Sequence, residues 1–249
     1  MSWIHLIFLF LLLSSFVIYP NSGNDTVLIF GNLAKIMSLI VASISLTFTQ
    51  NAFTPGDRPQ KAWNQMAAGM WVWLFAQIIF GYYKIVLHQN PYPSLADIFF
   101  VIAYLPLFLG LVTLIKNFRS TGLPMGTARS YMVQALLLVL AYAAIFYSLL
   151  WKLITAPNDP AALKFLNVGY PTFDFILIAT TSILIRISWV LRGGSLAKSW
   201  IFLCAGFTLI GAADIMFAYQ TYGFLDIVFF SAYFLIALAG LYQLEMLRA

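Results

Sequence analysis

The stretch NPYPSLADIFFVIAY, residues 90–104, shows how this chain is built. A proline-rich turn leads into Ser94, and Asp97 follows three residues later, at the start of a long apolar run. This spacing predicts a capping box, in which the Ser94 hydroxyl accepts a hydrogen bond from the N3 amide and the Asp97 carboxylate accepts one from the Ser94 amide. The carboxylate also lies at the positive end of the helix dipole. We therefore predict that a well-capped helix begins at residue 95.

The composition is that of an integral membrane protein. Of the 249 residues, 62% are hydrophobic and only 8% are charged, whereas a soluble domain has about 25% charged residues. Apolar runs of about 20 residues are typical of membrane-spanning helices, and we predict eight of them, at 3–19, 27–49, 63–87, 95–115, 130–154, 168–191, 199–220 and 224–247. Because the loops between them are short, the predicted fold is all-α: a polytopic membrane helix bundle of eight transmembrane helices, forming a single integral membrane domain, 1–249.

The charged loop residues predict how the bundle is oriented. Eight lysines and arginines fall in the loops after helices 2, 4 and 6 and at the C-terminus, and three fall on the opposite side. By the positive-inside rule, both termini are cytoplasmic and the protein is a multi-pass protein of the cell (inner) membrane. The net charge of +5 therefore reports orientation, and we expect no nucleic-acid partner. Residues 3–19 resemble a signal-peptide core, but without a basic start or a clear cleavage site we expect a retained helix; cleavage would leave seven spans.

A short pattern recurs at the starts of several helices. Asp97 is followed seven residues later by Tyr104, which is two helical turns away and hence on the same face. Asp226 and Tyr233 repeat this separation at the start of helix 8. Weaker copies are Asp174 with Thr181 and Asp25 with Asn32. We therefore predict that the bundle is built from parallel-repeated helical hairpins, whose acidic residues share the outer side of the membrane.

Two charged residues are predicted to lie inside the membrane, Lys35 in helix 2 and Asp214 in helix 7. Charged groups there are costly and tend to pair, so we predict a contact between Lys35 and Asp214 near Gln77. Two interpretations stay open, because the charged residues are either structural caps and ion pairs or the lining of a ligand or proton site in the outer leaflet. The candidate ligand-binding residues are Lys35, Gln77, Asp97, Tyr104, Asp174, Asp214, Asp226 and Tyr233.

The sequence lacks the parts of known enzymatic sites. His5 and His88 are the only histidines and fall on opposite sides of the predicted membrane, and Cys204 is the only cysteine. No metalloprotease, P-loop or dinucleotide-binding motif is present, and helices 5 to 8 have no central lysine for a retinal Schiff base. We therefore expect a protein that is not an enzyme and that has no metal ligands and no cofactor.

With these residues in view, the chain resembles a known group of proteins. The helix-3 aromatic residues, the motif Pro91-Tyr92-Pro93-Ser94 with Ala96-Asp97, and Tyr104 resemble the multi-helix membrane sensor region in front of bacterial diguanylate cyclases, cyclic-di-GMP phosphodiesterases and some histidine kinases. The later positions that fit are Tyr170-Pro171, Asp174, Ala213-Asp214, Asp226 and Tyr233. Those proteins continue into a cytoplasmic output domain, whereas the last residue here, Ala249, directly follows helix 8. The resemblance implies sensing, with the output supplied by another molecule.

The leading hypothesis is a non-enzymatic membrane sensor of the signal-transduction type. It would bind a small or lipophilic ligand in an outer-leaflet cavity and couple to a cytoplasmic signalling protein or to a second copy of itself. The first alternative is a small-solute or proton-coupled transporter, which needs a polar path through to the inner face. The second is a structural subunit of a larger membrane complex, held in the lipid bilayer by the same helices.

Overall fold

The computed structural model describes residues 3–122, 125–190, 195–219 and 224–248. Within these ranges the chain is helical and contains no strand. The helices are α1 Trp3–Asn21, α2 Asn24–Asn51, α3 Arg58–Ile85, α4 Leu95–Ser120, α5 Ala128–Thr155, α6 Ala161–Val190, α7 Ser195–Ala218 and α8 Leu225–Arg248. All eight are long and apolar enough to cross a membrane. The predicted all-α, eight-helix membrane bundle is confirmed, and the protein is a multi-pass membrane protein.

The predicted capping box at the start of α4 is present. The Ser94 hydroxyl accepts a hydrogen bond from the amide of Ala96 at 3.1 Å, and the Ser94 amide donates to the Asp97 carboxylate at 2.6 Å. First-turn amides have no partner within the helix, so these contacts satisfy groups that would otherwise be unpaired. The turn before α4 therefore has a fixed geometry, which orients Asp97.

The start of α6 differs from the prediction. Pro171 suggested a helix that begins near residue 168, but α6 begins at Ala161 and continues through Pro171. Proline is tolerated within membrane helices because neighbouring groups satisfy the backbone that it leaves free. Asp174 consequently lies about four turns into the helix and does not cap it. Asp25 is an exposed side chain in the first turn of α2, away from the core, so neither weaker copy reproduces the Asp97 arrangement.

Six of the helices form a closed ring. In order around the ring, the packed neighbours are α2, α3, α4, α6, α7 and α8, and α8 packs against α2 again. Helix α1 lies outside the ring against α2 and α8, and α5 lies outside it against α6. The long exposed apolar side chains of α5, such as Met132 and Leu137, face away from the protein. Helices α1 and α5 thus occupy matching positions on the periphery.

The two halves of the chain, α1–α4 and α5–α8, are built alike. A Cβ atom at Gly69 in α3 would lie 3.1 Å from the carbonyl oxygen of Ala103 in α4. At Gly206 in α7 a Cβ atom would lie 3.0 Å from the carbonyl oxygen of Ala232 in α8. Both glycines therefore allow a close approach of two backbones, at the same register relative to the Asp–Tyr pairs of α4 and α8.

Trp63 and Trp200 hold corresponding positions near the starts of α3 and α7. Both side chains are fully buried, and their rings stack on each other with centroids 5.8 Å apart. Equivalent residues that contact each other lie on the axis that relates two repeats. The bundle is thus a parallel four-helix repeat around an axis along the membrane normal, an arrangement that some transporters also use. Within it, the predicted hairpins α3–α4 and α7–α8 are matching parts of the two halves.

The two ends of the ring differ in character. We use "terminal end" for the end where α1 starts and α8 finishes, and "cavity end" for the end where α2, α4, α6 and α8 begin. Near the terminal end the ring is filled by Trp63 and Trp200, and farther along by buried side chains such as Met70 and Phe207. Trp63 and Gln77 are 14 residues apart along α3, about 21 Å. The charged side chains Lys35, Asp97 and Asp226 instead lie toward the cavity end.

Candidate functional site

A cavity of about 340 Å³ lies at the cavity end, between the six ring helices. Its volume is at the lower end of the range of about 300–1,000 Å³ that small-molecule pockets occupy. Seven of the eight candidate residues line it: Lys35, Gln77, Asp97, Tyr104, Asp214, Asp226 and Tyr233. The structure brings these side chains together from five different helices. Asp174, the eighth, does not line the cavity and lies behind Tyr104.

Lys35 forms a salt bridge with Asp226, so the predicted contact between Lys35 and Asp214 is wrong. The ammonium nitrogen lies 2.7 Å from Asp226 Oδ1, and the Tyr19 hydroxyl donates to Oδ2 of the same carboxylate at 3.2 Å. Gly31, one turn before Lys35, provides the space, because a Cβ atom there would overlap the Asp226 carboxylate. The prediction failed because the hydropathy pattern does not fix how each helix is rotated about its axis.

In the other half of the chain, a hydrogen bond takes the place of the Lys35–Asp226 salt bridge. The Tyr170 hydroxyl in α6 donates to Asp97 Oδ1 at 2.7 Å. Tyr170 corresponds to Lys35, and Asp97 corresponds to Asp226, under the repeat described above. Each half thus begins its last helix with an aspartate that binds a polar side chain of the opposite half. These two contacts join α2 to α8 and α6 to α4.

A second pair of equivalent side chains flanks these contacts. Asn32 in α2 accepts a hydrogen bond from Gln77 Nε2 at 3.2 Å. Asn167 in α6 accepts one from the Tyr92 hydroxyl at 2.8 Å. Burial, together with the negative charges of Asp214 and Asp97, raises the pKa of Tyr92 above its ordinary value. Tyr92 therefore remains a hydrogen-bond donor, and it fastens the turn before α4 to α6.

Asp174 and Asp214 bring two acidic side chains to the second half, where Asp214 takes the position that Gln77 holds in the first half. Asp174 is fully buried and accepts a hydrogen bond from the Tyr104 hydroxyl at 2.7 Å. Its second oxygen has no hydrogen-bond partner among the described residues. The Asp174 side chain lies against α7, because a Cβ atom at Gly211 would be 3.1 Å from the Asp174 Cβ atom. Asp214 alone of the two also faces the cavity.

Several side chains that line the cavity were not among the predicted residues. The polar and aromatic ones are Tyr19, Asn24, Asn32, Trp73, Phe80, Lys84, Tyr92, Phe100, Asn167, Tyr170, Phe217 and Phe229. The signal that identifies Asn32, Asn167 and Tyr170 is the repeat itself, because each holds the same place as a polar residue of the other half. The aromatic residues carry no such signal, since rings at helical spacing are also typical of packing and of membrane interfaces.

Aromatic rings form a continuous wall on the side of the cavity where Asp97 and Asp214 lie, here called the acidic side. Trp73 contacts Tyr104 edge to face, with ring centroids 5.3 Å apart, and Tyr104 lies 6.4 Å from Tyr170. Tyr170 in turn contacts Phe100 at 6.5 Å. The wall thus runs from α3 across α4 to α6, and it surrounds the carboxylates with ring faces and edges. Among the described residues, no group of histidine, cysteine and acidic side chains is placed to hold a metal ion.

Comparison with protein-family models, with curated proteins and with solved structures gives no significant match to this chain.

Proposed function

We propose that this protein is a membrane sensor that binds a small molecule in the cavity and passes a helix rearrangement to another protein. The observation that carries the proposal is the cavity itself, which gathers polar and aromatic side chains from all six ring helices. Charged residues in a membrane interior are costly, and they are retained where they serve a site. A bundle that needed only mechanical stability would fill this volume with apolar side chains.

The position of the cavity suggests how binding would be transmitted. The Lys35–Asp226 salt bridge and the Tyr170–Asp97 hydrogen bond join the two halves, and all four side chains line the cavity. A ligand that contacts both halves would favour the relative position of the halves that it fits best, which is a shift between two populated states. At the terminal end this shift would change the spacing of α3 and α7 around the Trp63–Trp200 stack.

The setting of this sensor is also part of the proposal. We infer that the cavity end faces outward, that both termini are cytoplasmic and that the protein lies in the inner membrane, because the loop charges follow the positive-inside rule. The receiver of the signal would be a cytoplasmic signalling protein or a second copy of this chain. The resemblance to the membrane sensor regions of diguanylate cyclases and histidine kinases supports this role.

Blocking the cavity tests the proposal. Val27 lines the cavity in α2, and Val133 is 50% exposed on the outer face of α5. Native mass spectrometry of protein purified in mild detergent would show a small-molecule adduct on the wild type and on Val133→Trp. Val27→Trp would lose the adduct because the indole occupies the cavity. If Val27→Trp carried the same adduct as Val133→Trp, the cavity would not be the binding site.

A proton-coupled carrier is the second candidate. Two acidic side chains inside membrane helices, Asp174 and Asp214, favour it, because such residues often take part in proton transfer in pumps and transporters. A carrier must open toward the terminal end as well. Met70 lies in the filled part of the ring and is fully buried, so a Met70→Cys side chain would react with water-soluble thiol reagents only in a carrier that opens there. The sensor proposal expects no reaction from either face.

A further inference from the structure

The charges that line the cavity are divided between two sides. Lys35 and Lys84 both face the ring of Phe80, with ammonium nitrogens 5.5 and 5.9 Å from its centroid. Asp226 neutralises Lys35 on this side. Asp97 and Asp214 lie on the other side with the tyrosines. The basic side is thus largely provided with its own counter-charge.

The acidic side has no such counter-charge. Among the described residues, neither Asp97 nor Asp214 forms a salt bridge. Hydrogen bonds from Tyr170 and from the Ser94 amide satisfy part of the Asp97 carboxylate, but they add no positive charge. Three aspartates and two lysines line the cavity when Lys84 is included, so the formal charge of the lining is −1.

The walls on the acidic side suit an organic cation. Ammonium groups are attracted to the faces of tyrosine and tryptophan rings, and this attraction is strongest where water is excluded. Here Trp73, Tyr104, Tyr170 and Phe100 form one continuous wall beside the carboxylates. A carboxylate oxygen has two lone pairs, so Asp97 can accept a hydrogen bond from a ligand in addition to those from the protein.

We propose that the ligand is an organic monocation, an amine with an apolar body, whose ammonium group binds between Asp97 and Asp214 while its body contacts the aromatic wall. This inference rests on the proposed function, since it names the ligand class of the same cavity. The positive charge of the ligand would provide the counter-charge that Asp97 and Asp214 lack. A free metal ion is a poorer fit, because the walls offer rings and hydroxyl groups rather than a cage of oxygen ligands.

Three probes of similar size separate charge from shape. Phenethylamine is a cation, 3-phenylpropionate is an anion and 3-phenylpropanol is neutral, and all three carry the same phenyl group. Their affinities for the wild-type protein in maltoside detergent at neutral pH would be measured by calorimetry. We expect phenethylamine to bind at least about tenfold more tightly than 3-phenylpropionate, because its ammonium group forms charge-assisted hydrogen bonds with the carboxylates, whereas like charges repel 3-phenylpropionate.

An isosteric variant locates the charge that is responsible. Asp214→Asn keeps the shape of the side chain, and we expect it to weaken phenethylamine binding by about tenfold or more while the affinity for 3-phenylpropanol stays the same. Asp25→Asn is the matched control, because Asp25 is an exposed acid of α2 that does not line the cavity. If Asp214→Asn does not fold, the relative affinities of the wild type for phenethylamine and 3-phenylpropionate decide whether the cavity binds a cation.

The outcomes distinguish this inference from the proposal on which it rests. If 3-phenylpropionate bound as tightly as phenethylamine, or more tightly, the cation site would be wrong and the cavity would still be a binding site. If a folded Asp214→Asn bound phenethylamine as the wild type does, the assignment to this carboxylate would be overturned. If none of the three probes bound, the cation site would be contradicted, and the adduct on the wild type and Val133→Trp would decide the proposed function separately.

Discussion

The ammonium group of Lys35 in α2 lies 2.7 Å from the carboxylate of Asp226 in α8, and this contact closes the ring of six helices. Its equivalent is the hydrogen bond from Tyr170 in α6 to Asp97 in α4, also 2.7 Å long. Both contacts lie at the rim of the same cavity. The two halves of the protein are therefore joined by polar groups on the surface where a ligand would bind.

Removing the acid of the salt bridge should destabilise the protein. Asp226→Asn leaves the buried Lys35 ammonium without its counter-charge, and loss of one partner of a buried ion pair costs about 3–5 kcal/mol. Because the Asp226 side chain is 26% exposed, we expect a smaller loss of about 1–3 kcal/mol. Thermal unfolding in detergent measures it. Adding Lys35→Met to Asp226→Asn should restore part of the loss, and no recovery would contradict the pairing.

A methyl group at Gly31 tests the same contact from the side of the backbone. Its Cβ atom would overlap the Asp226 carboxylate, so Gly31→Ala must displace that side chain from Lys35. We expect its unfolding temperature to fall about as far as that of Asp226→Asn, and the two changes together to cost less than their sum. Gly23→Ala is the control, since nothing lies within 4 Å of a Cβ atom there. Full additivity would show that Gly31 acts elsewhere.

The four-helix repeat predicts equal responses at equivalent sites. Gly69→Ala and Gly206→Ala each place a methyl group about 3 Å from a carbonyl oxygen of the neighbouring helix, so both should destabilise the protein by about 1–3 kcal/mol. At Gly169 the nearest atom to a Cβ would be 3.5 Å away in the Phe173 ring, and Gly169→Ala should be tolerated. Unequal unfolding temperatures for Gly69→Ala and Gly206→Ala would argue against equivalent packing.

The number and limits of the helices follow closely from the sequence, because long apolar segments and a capping box are local signals. The α4 start was predicted correctly from Ser94 and Asp97 alone. The start of α6 was not predicted correctly. Proline usually breaks a helix in a soluble protein, whereas Pro171 lies inside α6. The sequence around Pro171 does not distinguish a helix that begins there from one that continues through it, because packing against neighbouring helices decides between the two.

Seven of the eight predicted residues line the cavity, because polar side chains in apolar helices turn away from lipid. Their pairing could not be predicted, since it depends on the rotation of each helix: Lys35 binds Asp226, and Tyr104 binds Asp174. The four-helix repeat is also hidden in the sequence. Many equivalent positions of the two halves carry different side chains, such as Gln77 and Asp214, and only the packing shows that they are equivalent.

The buried hydroxyl of Tyr92 predicts a dependence of stability on pH. Its pKa is raised in the folded protein, whereas an unfolded tyrosine has a pKa of about 10. Above pH 10 the unfolded chain therefore loses a proton that the folded protein keeps, so this contribution to stability is complete below pH 10 and declines as the pH rises, by up to about 1.4 kcal/mol per pH unit.

We expect the unfolding temperature of Tyr92→Phe to fall less steeply between pH 9 and pH 11 than that of the wild type. Tyr147→Phe serves as the control, because Tyr147 is 70% exposed on α5. At pH 8 the Tyr92→Phe variant should already be less stable, since it loses the hydrogen bond to Asn167. Parallel pH profiles for wild type and Tyr92→Phe would contradict the burial of this hydroxyl.

The central claim, that the cavity is a ligand site open at the outer face and closed toward the termini, is tested most directly by cysteine accessibility. Leu28 lines the cavity and Met70 is buried below it. In a Cys204→Ser background, a trimethylammonium-bearing methanethiosulfonate applied to intact cells should modify Leu28→Cys and leave Met70→Cys unmodified. Phenethylamine should slow the reaction of Leu28→Cys. No modification from outside, or modification that phenethylamine leaves unchanged, would contradict the claim.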